Sequence, residues 1–124
     1  MLRVGITHVD GSSLVRHADR VLVSSGGPSQ VPVMTKTYAS TLTAIHLLLL
    51  ELFGAPAAYY EDLGASAARA QAAIVAAEEI VPEIVEVVSQ FRHAFYFGAG
   101  NGYAAALEGA LKMKEMALFH AEGS

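Results

Sequence analysis

Residues 97–118 read Phe-Gly-Ala-Gly-Asn-Gly-Tyr-Ala-Ala-Ala-Leu-Glu-Gly-Ala-Leu-Lys-Met-Lys-Glu-Met-Ala-Leu. The short aromatic run His93–Phe97 precedes three closely spaced glycines, and good helix formers follow them. This order predicts the end of a strand, a tight turn and a helix of about five turns. At 100° per residue, Glu108, Lys112 and Glu115 share one narrow stripe, because their spacing is i, i+4 and i+7. The rest of the helix is apolar or small, apart from Lys114. A helix apolar on most sides is packed on most sides, so its charged stripe faces a cleft or a polar partner. The alternative is a half-exposed helix whose Glu108–Lys112 pair is an ordinary surface ion pair, worth under about 1 kcal/mol.

The Gly98-Ala99-Gly100-Asn101-Gly102-Tyr103 turn invites comparison with the dinucleotide fingerprint, G-x-G-x-x-G. It fails at the third glycine, where Tyr103 stands, and no strand acid follows about 20 residues later. No nucleotide cofactor is expected, and no other cofactor or metal. A strand–turn–helix junction still presents backbone N–H groups suited to a phosphate or carboxylate. Its plainer reading is that the glycines serve backbone geometry and close packing.

Working outward, the 124 residues amount to one small domain or a piece of something larger. Apolar residues make up 53% and charged ones 16%, more apolar surface than so short a chain readily encloses. Homo-oligomerisation or further chain would cover it. A net charge of −4 without clustered Lys and Arg argues against nucleic acid. The absence of cysteine excludes a disulfide frame and thiolate zinc, and fits the cytoplasm. The N-terminal residues lack the apolar core of a signal peptide. The apolar runs at 42–53 and 65–81 are too short or too interrupted by charge for the roughly 18 residues of a membrane span.

Upstream, Leu2–Thr7 and Arg20–Ser24 read as short strands around a turn at Leu14–Ala18, a tight parallel crossover. Ser25–Pro32 reads as an irregular loop. A helix follows to Phe53, with Thr35 at its N-cap and Gly54 and Pro56 closing it. His46 inside it reads as a packed core residue with one hydrogen bond, and Lys36 on position alone reads as solvated. Leu63–Val81 is expected to be a second long helix, and Pro82 to start a third reaching Phe91. The Glu78, Glu79, Glu83 and Glu86 cluster reads as a solvated helix face. After Leu118 the chain is expected to stop without another strand.

Gly98-x-Gly100, then Leu107-Glu108-Gly109-Ala110-Leu111-Lys112-x-Lys114-Glu115 and His120-Ala121-Glu122, closely resemble the second sugar isomerase (SIS) domain of the glucosamine–fructose-6-phosphate aminotransferase family. Gly11-Ser12-Ser13-Leu14 and Thr35-Lys36-Thr37-Tyr38 resemble that family's G-S-S-L and S-T-K-A-F segments. Met34-Thr35-Lys36 is nearer the form found in the related amino-sugar-phosphate isomerases and deaminases. The resemblance spans almost the whole chain and implies an α/β fold, a three-layer doubly wound parallel sheet, here incomplete. Two family segments have no counterpart: the S-x-S-G-x-T phosphate loop and the downstream K-H-G. The resemblance thus implies an internal fragment that is not a competent enzyme alone. Residues 1–55 would be the C-terminal half of one SIS domain, 56–92 connecting helices, and 93–124 the start of a second.

The family chemistry is aldose–ketose interconversion of an amino sugar phosphate, coupled to amination or deamination. The resemblance implies Glu115 as the base that moves a proton between C1 and C2. It implies Lys112 as stabiliser of enediolate charge and Glu108 as the residue orienting Lys112. Thr35, Lys36, Gly98, Gly100 and Asn101 are the implied contacts to a hexose or hexosamine phosphate. Two readings stand beside this one: a regulatory SIS module that binds sugar phosphate without turnover, and a truncated remnant without activity.

Overall fold

The computed structural model describes residues 1–27 and 31–124. Of the loop expected at Ser25–Pro32, the residues Pro28, Ser29 and Gln30 lie outside the described residues. The chain forms two compact units, Met1–Ala68 and Arg69–Ser124. The α/β class expected from the sequence is what the structure shows: each unit carries a pair of short parallel strands with helices beside them.

In the first unit, β1 (Val4–Thr7) pairs in parallel with β2 (Arg20–Val23), Val4 opposite Arg20 through Thr7 opposite Val23. The five-residue helix α1 (Ser13–His17) makes the crossover. It lies so close to β1 that a Cβ on Gly5 would meet Leu14 and Ala18 at 3.1–3.2 Å. A bidentate Arg3–Asp19 pair, 3.1–3.2 Å, joins the entries of the two strands. Hydrogen bonding from the Arg3 guanidinium, then from its backbone N–H, holds the Asp19 carboxyl below its ordinary value.

Helix α2 (Lys36–Phe53) buries Thr37 and Ala44, and with Ser40 and Leu47 these mark one face. Gly54, at φ 59°, closes the helix as expected. Thr35 stands at the N-cap position expected of it, but without a cap's conformation or bonding. Its backbone is helical, φ −86° and ψ −62°, and its side chain makes no capping bond, so the residue is drawn into the turn it was expected to cap. His46 departs from expectation. It lies about 200° round the helix from Ala44, is exposed, and places Nδ1 3.0 Å from the Leu42 carbonyl on its own helix. It is not a core residue.

The expected helix boundaries between 57 and 91 shift. Helix α3 (Ala57–Gly64) ends at a glycine, and α4 (Ser66–Val88) runs 23 residues straight through Pro82. The Ser66 hydroxyl donates to the Leu63 carbonyl, 2.6 Å, at the break between them. Proline at 82 cannot donate to Glu78, a local cost of about 3 kcal/mol, yet the alanines and glutamates before it and the residues after it keep the helix going.

In the second unit, β3 (His93–Tyr96) leads through the glycine turn into α5 (Asn101–Ala117), as expected. The chain then forms a further strand, β4 (His120–Gly123), parallel to β3, contrary to the expectation that it would stop without one. His-Ala-Glu-Gly has no β-branched residue to announce a strand. Pairing and packing decide it: Ala121 is fully buried, and a Cβ on Gly123 would stand 2.8–2.9 Å from the α5 backbone at Ala106 and Leu107.

Among the described residues the buried apolar ones are all alanines, namely Ala44, Ala106, Ala110 and Ala121. Among the described residues no large side chain is fully buried, and Phe53, Phe91, Phe97 and most apolar residues of α4 stay exposed. No described helix is long and apolar enough to cross a membrane.

Candidate active site on helix α5

The site begins with the turn. A Cβ on Gly98 would collide with the Gly102 carbonyl, and Gly100 adopts φ 56°. Both positions therefore need glycine, one for close approach and the other for a left-handed backbone. Gly98 is also tied to the sheet, its N–H donating to Ser124 at 2.9 Å. Gly102 and Tyr103 donate their N–H groups to the carbonyls of Ala99 and Gly100, 3.0 and 3.2 Å. These bonds use two of the helix's orphan donors inside the turn itself. Asn101 is exposed at the first helical position.

About two turns along α5, the expected stripe is assembled. Lys112 Nζ lies 2.5 Å from Glu115 Oε2 and 3.5 Å from Glu108 Oε1. Its side chain is 19% exposed, against 24% for Glu108 and 31% for Glu115, so the triad is partly shielded rather than splayed into water. The hydrogen bond to Glu115 raises the Lys112 ammonium above its ordinary value. Desolvation opposes this, and attraction to Glu108 adds to the rise. Lys112 is thus a fixed cation at neutral pH, clamped between two carboxylates one turn to either side.

Lys112 also edges a shallow cavity of about 350 Å³ lined by Tyr96, Gly109, Met113, Met116 and Ala117. Tyr96 closes its floor, the ring standing 3.1 Å from where a Gly109 Cβ would be. Neither Tyr96 nor the role of Gly109 was singled out from sequence. The signal available was the alternation of Ala94 and Tyr96 toward one face of β3. Thr35 and Lys36 lie in the first unit, both exposed at the start of α2. The structure therefore brings Glu108, Lys112 and Glu115 into contact and sets Gly98, Gly100 and Asn101 at the head of the same helix.

No protein-family model matches the chain. Over 123 residues it is 36% identical to the glutamine–fructose-6-phosphate aminotransferase (isomerizing) of Pyrobaculum aerophilum, which covers 96% of this chain and 20% of that protein. The enzyme of the same name from Pyrococcus horikoshii is 37% identical, with 97% and 21% covered. The chain thus spans about a fifth of the length of these curated relatives. The C-terminal domain of glucosamine-fructose-6-phosphate aminotransferase from Francisella tularensis superposes with a TM-score of 0.86 at 32% identity, over 98% of this chain and 36% of that one. Glucosamine-6-phosphate deaminase from Thermotoga maritima, at 24% identity and a TM-score of 0.72, shares the fold. Over nearly its whole length, then, the chain is a homologue of the isomerase part of the glucosamine–fructose-6-phosphate aminotransferases, and it carries part of their SIS-type α/β fold.

Proposed function

We propose that this chain carries the proton-transfer helix of an aldose–ketose isomerase acting on an amino sugar phosphate, linked to amination or deamination of the sugar. The observation that carries the proposal is the clamp of Lys112 between Glu108 and Glu115 on a helix otherwise almost bare of charge.

Interconversion at C1 and C2 needs one carboxylate that takes a proton from one carbon and returns it to the other. Glu115 is given that role. Lys112 holds one oxygen of Glu115 and supplies positive charge where an enediolate oxygen develops. Glu108, one turn back, keeps the ammonium in place. Gly98, Gly100 and Asn101 are proposed as sugar-phosphate contacts, and so, in the other unit, are Thr35 and Lys36. Homo-oligomerisation or further chain, a cytoplasmic setting, and the division into 1–55, 56–92 and 93–124 belong to the same proposal. The identity of the relatives and the intact clamp support it.

Activity is to be tested in a chain extended at both ends to the span of the relatives. There Glu115→Gln keeps the shape of the side chain and removes proton acceptance. Isomerisation is expected to fall about 10²–10⁴-fold with substrate binding little changed. Met113→Leu, nearly volume-conserving and about 160° round the helix from Glu115, is the control. It should cost under about 1.5 kcal/mol of stability and almost no rate. An unaltered rate in Glu115→Gln would remove Glu115 from the mechanism, whereas an extended chain that binds sugar phosphate without turning it over would favour the regulatory reading.

A further inference from the structure

We propose that His93 and His120 form a binding site for a first-row divalent transition-metal ion that clips β3 to β4. The two histidines are direct partners in the parallel ladder and open their respective strands. Their Nδ1 atoms stand 3.1 Å apart, with the rings edge to face at a centroid distance of 4.9 Å and an interplanar angle of 86°. In the metal-free pair this contact is a hydrogen bond, one Nδ1–H donating to the lone pair of the other Nδ1. With both ring protons on Nε2, the two Nδ1 lone pairs are free to take a metal ion in place of that proton.

The spacing suits the ion. Zinc sits about 2.0–2.1 Å from an imidazole nitrogen, so two nitrogens 3.1 Å apart subtend about 100° at it. That is the angle between neighbouring ligands, intermediate between square-planar and tetrahedral values. The rings are accessible as well. Ala94, Tyr96, Ala121 and Gly123 alternate toward α5, which leaves His93, Phe95, His120 and Glu122 on the opposite, exposed face.

Glu122 supplies the supporting contact. Its Oε1 lies 3.4 Å from Nε2 of His120, the far nitrogen of the same ring. The contact is an exposed ion-pair distance on the far side of the ring, which leaves Nδ1 as the nitrogen that faces His93. Among the described residues no group of three side chains forms a metal cage. Solvent therefore completes the coordination shell, and the ion exchanges readily. Imidazole donors select zinc, nickel or copper over magnesium and calcium. The site is separate from the Glu108–Lys112–Glu115 clamp, which sits on the helix covering the other face. An ion bound there would stabilise the strand pair that carries α5.

The test is a zinc titration of the full chain near neutral pH, followed by calorimetry and by ¹⁵N NMR of the imidazole rings. One equivalent of zinc is expected to move the Nδ1 resonances of His93 and His120 and to raise Tm. His8, His17 and His46 should stay unmoved, and magnesium should have no effect. His93→Ala and His120→Ala should each abolish binding, and His46→Ala should leave it unchanged. The proposal is overturned by an absence of saturable zinc binding, by zinc that shifts other histidines instead, or by binding that survives loss of either partner. The NMR reading on the unsubstituted chain decides the matter even where a variant fails to fold.

Discussion

Replacing Gly123 by alanine adds a single methyl group where α5 and β4 are in closest contact. The new Cβ would stand 2.8 Å from the Cα of Leu107 and 2.9 Å from the Ala106 carbonyl oxygen and the Leu107 nitrogen. All three are backbone atoms of a helix, which no rotamer change can move aside. Restoring an ordinary 3.4 Å contact requires about 0.6 Å of separation between strand and helix. Two hydrogen bonds resist that shift: Ser124 N–H donates to Tyr96 at 2.8 Å, and Gly98 N–H donates to Ser124 at 2.9 Å. Overpacking of this kind costs about 1–3 kcal/mol. With a urea slope of about 2 kcal/mol per molar, the midpoint should fall by about 1 M. Gly102→Ala is the matched comparison. A Cβ at Gly102 meets nothing within 4 Å, and its φ is not positive, so the same methyl should stabilise the helix by about 0.5–1 kcal/mol. Opposite shifts of the two midpoints, read by circular dichroism, are the expected result. A neutral or stabilising Gly123→Ala would refute the packing of β4 beneath α5.

Leu118 ends α5 in the left-handed conformation, φ 51° and ψ 35°, with its side chain exposed. A left-handed leucine costs about 1–2 kcal/mol and glycine loses about 0.5–1 kcal/mol of that advantage in unfolded-chain entropy, so Leu118→Gly should raise stability by about 0.5–1 kcal/mol in the same urea assay; a destabilised variant would show that the leucine makes an unrecognised contact. Because the folded carboxyl of Asp19 titrates below its ordinary value of 3.8, its contribution is present above that pH and lost as the pH falls through the lowered value. Thermal melts of the wild type and Asp19→Asn should therefore differ by a constant amount at pH 5–7 and converge in acid, whereas a difference that persists in acid would contradict the Arg3–Asp19 pairing.

The parts of the fold that could be read in advance were those whose signal is local. Gly98, Gly100 and Gly102 before a run of helix formers marked the turn and α5, and the i, i+4, i+7 spacing placed Glu108, Lys112 and Glu115 together. Gly54 marked the end of α2 for the same reason. What could not be read depends on partners distant in sequence. His120–Gly123 is a strand because Ala121 and Gly123 are small enough to lie under α5 and because β3 offers a ladder. His46 looked like a core residue because its neighbours are leucines, yet the buried residues of α2 are Thr37 and Ala44, and their face turns His46 outward. Pro82 looked like a helix start, but nothing in the flanking sequence stops the helix before it.

The most direct measure of the central claim, that Glu115 moves the proton between C1 and C2, is exchange of the substrate's C2 hydrogen with solvent deuterium. It reports the proton transfer itself, whatever step limits turnover. In a chain extended to the relatives' span, the account predicts exchange with Glu115 and with Met113→Leu, and its loss by about 10²-fold or more in Glu115→Gln. Exchange at the wild-type rate in Glu115→Gln would contradict it and remove Glu115 from the mechanism.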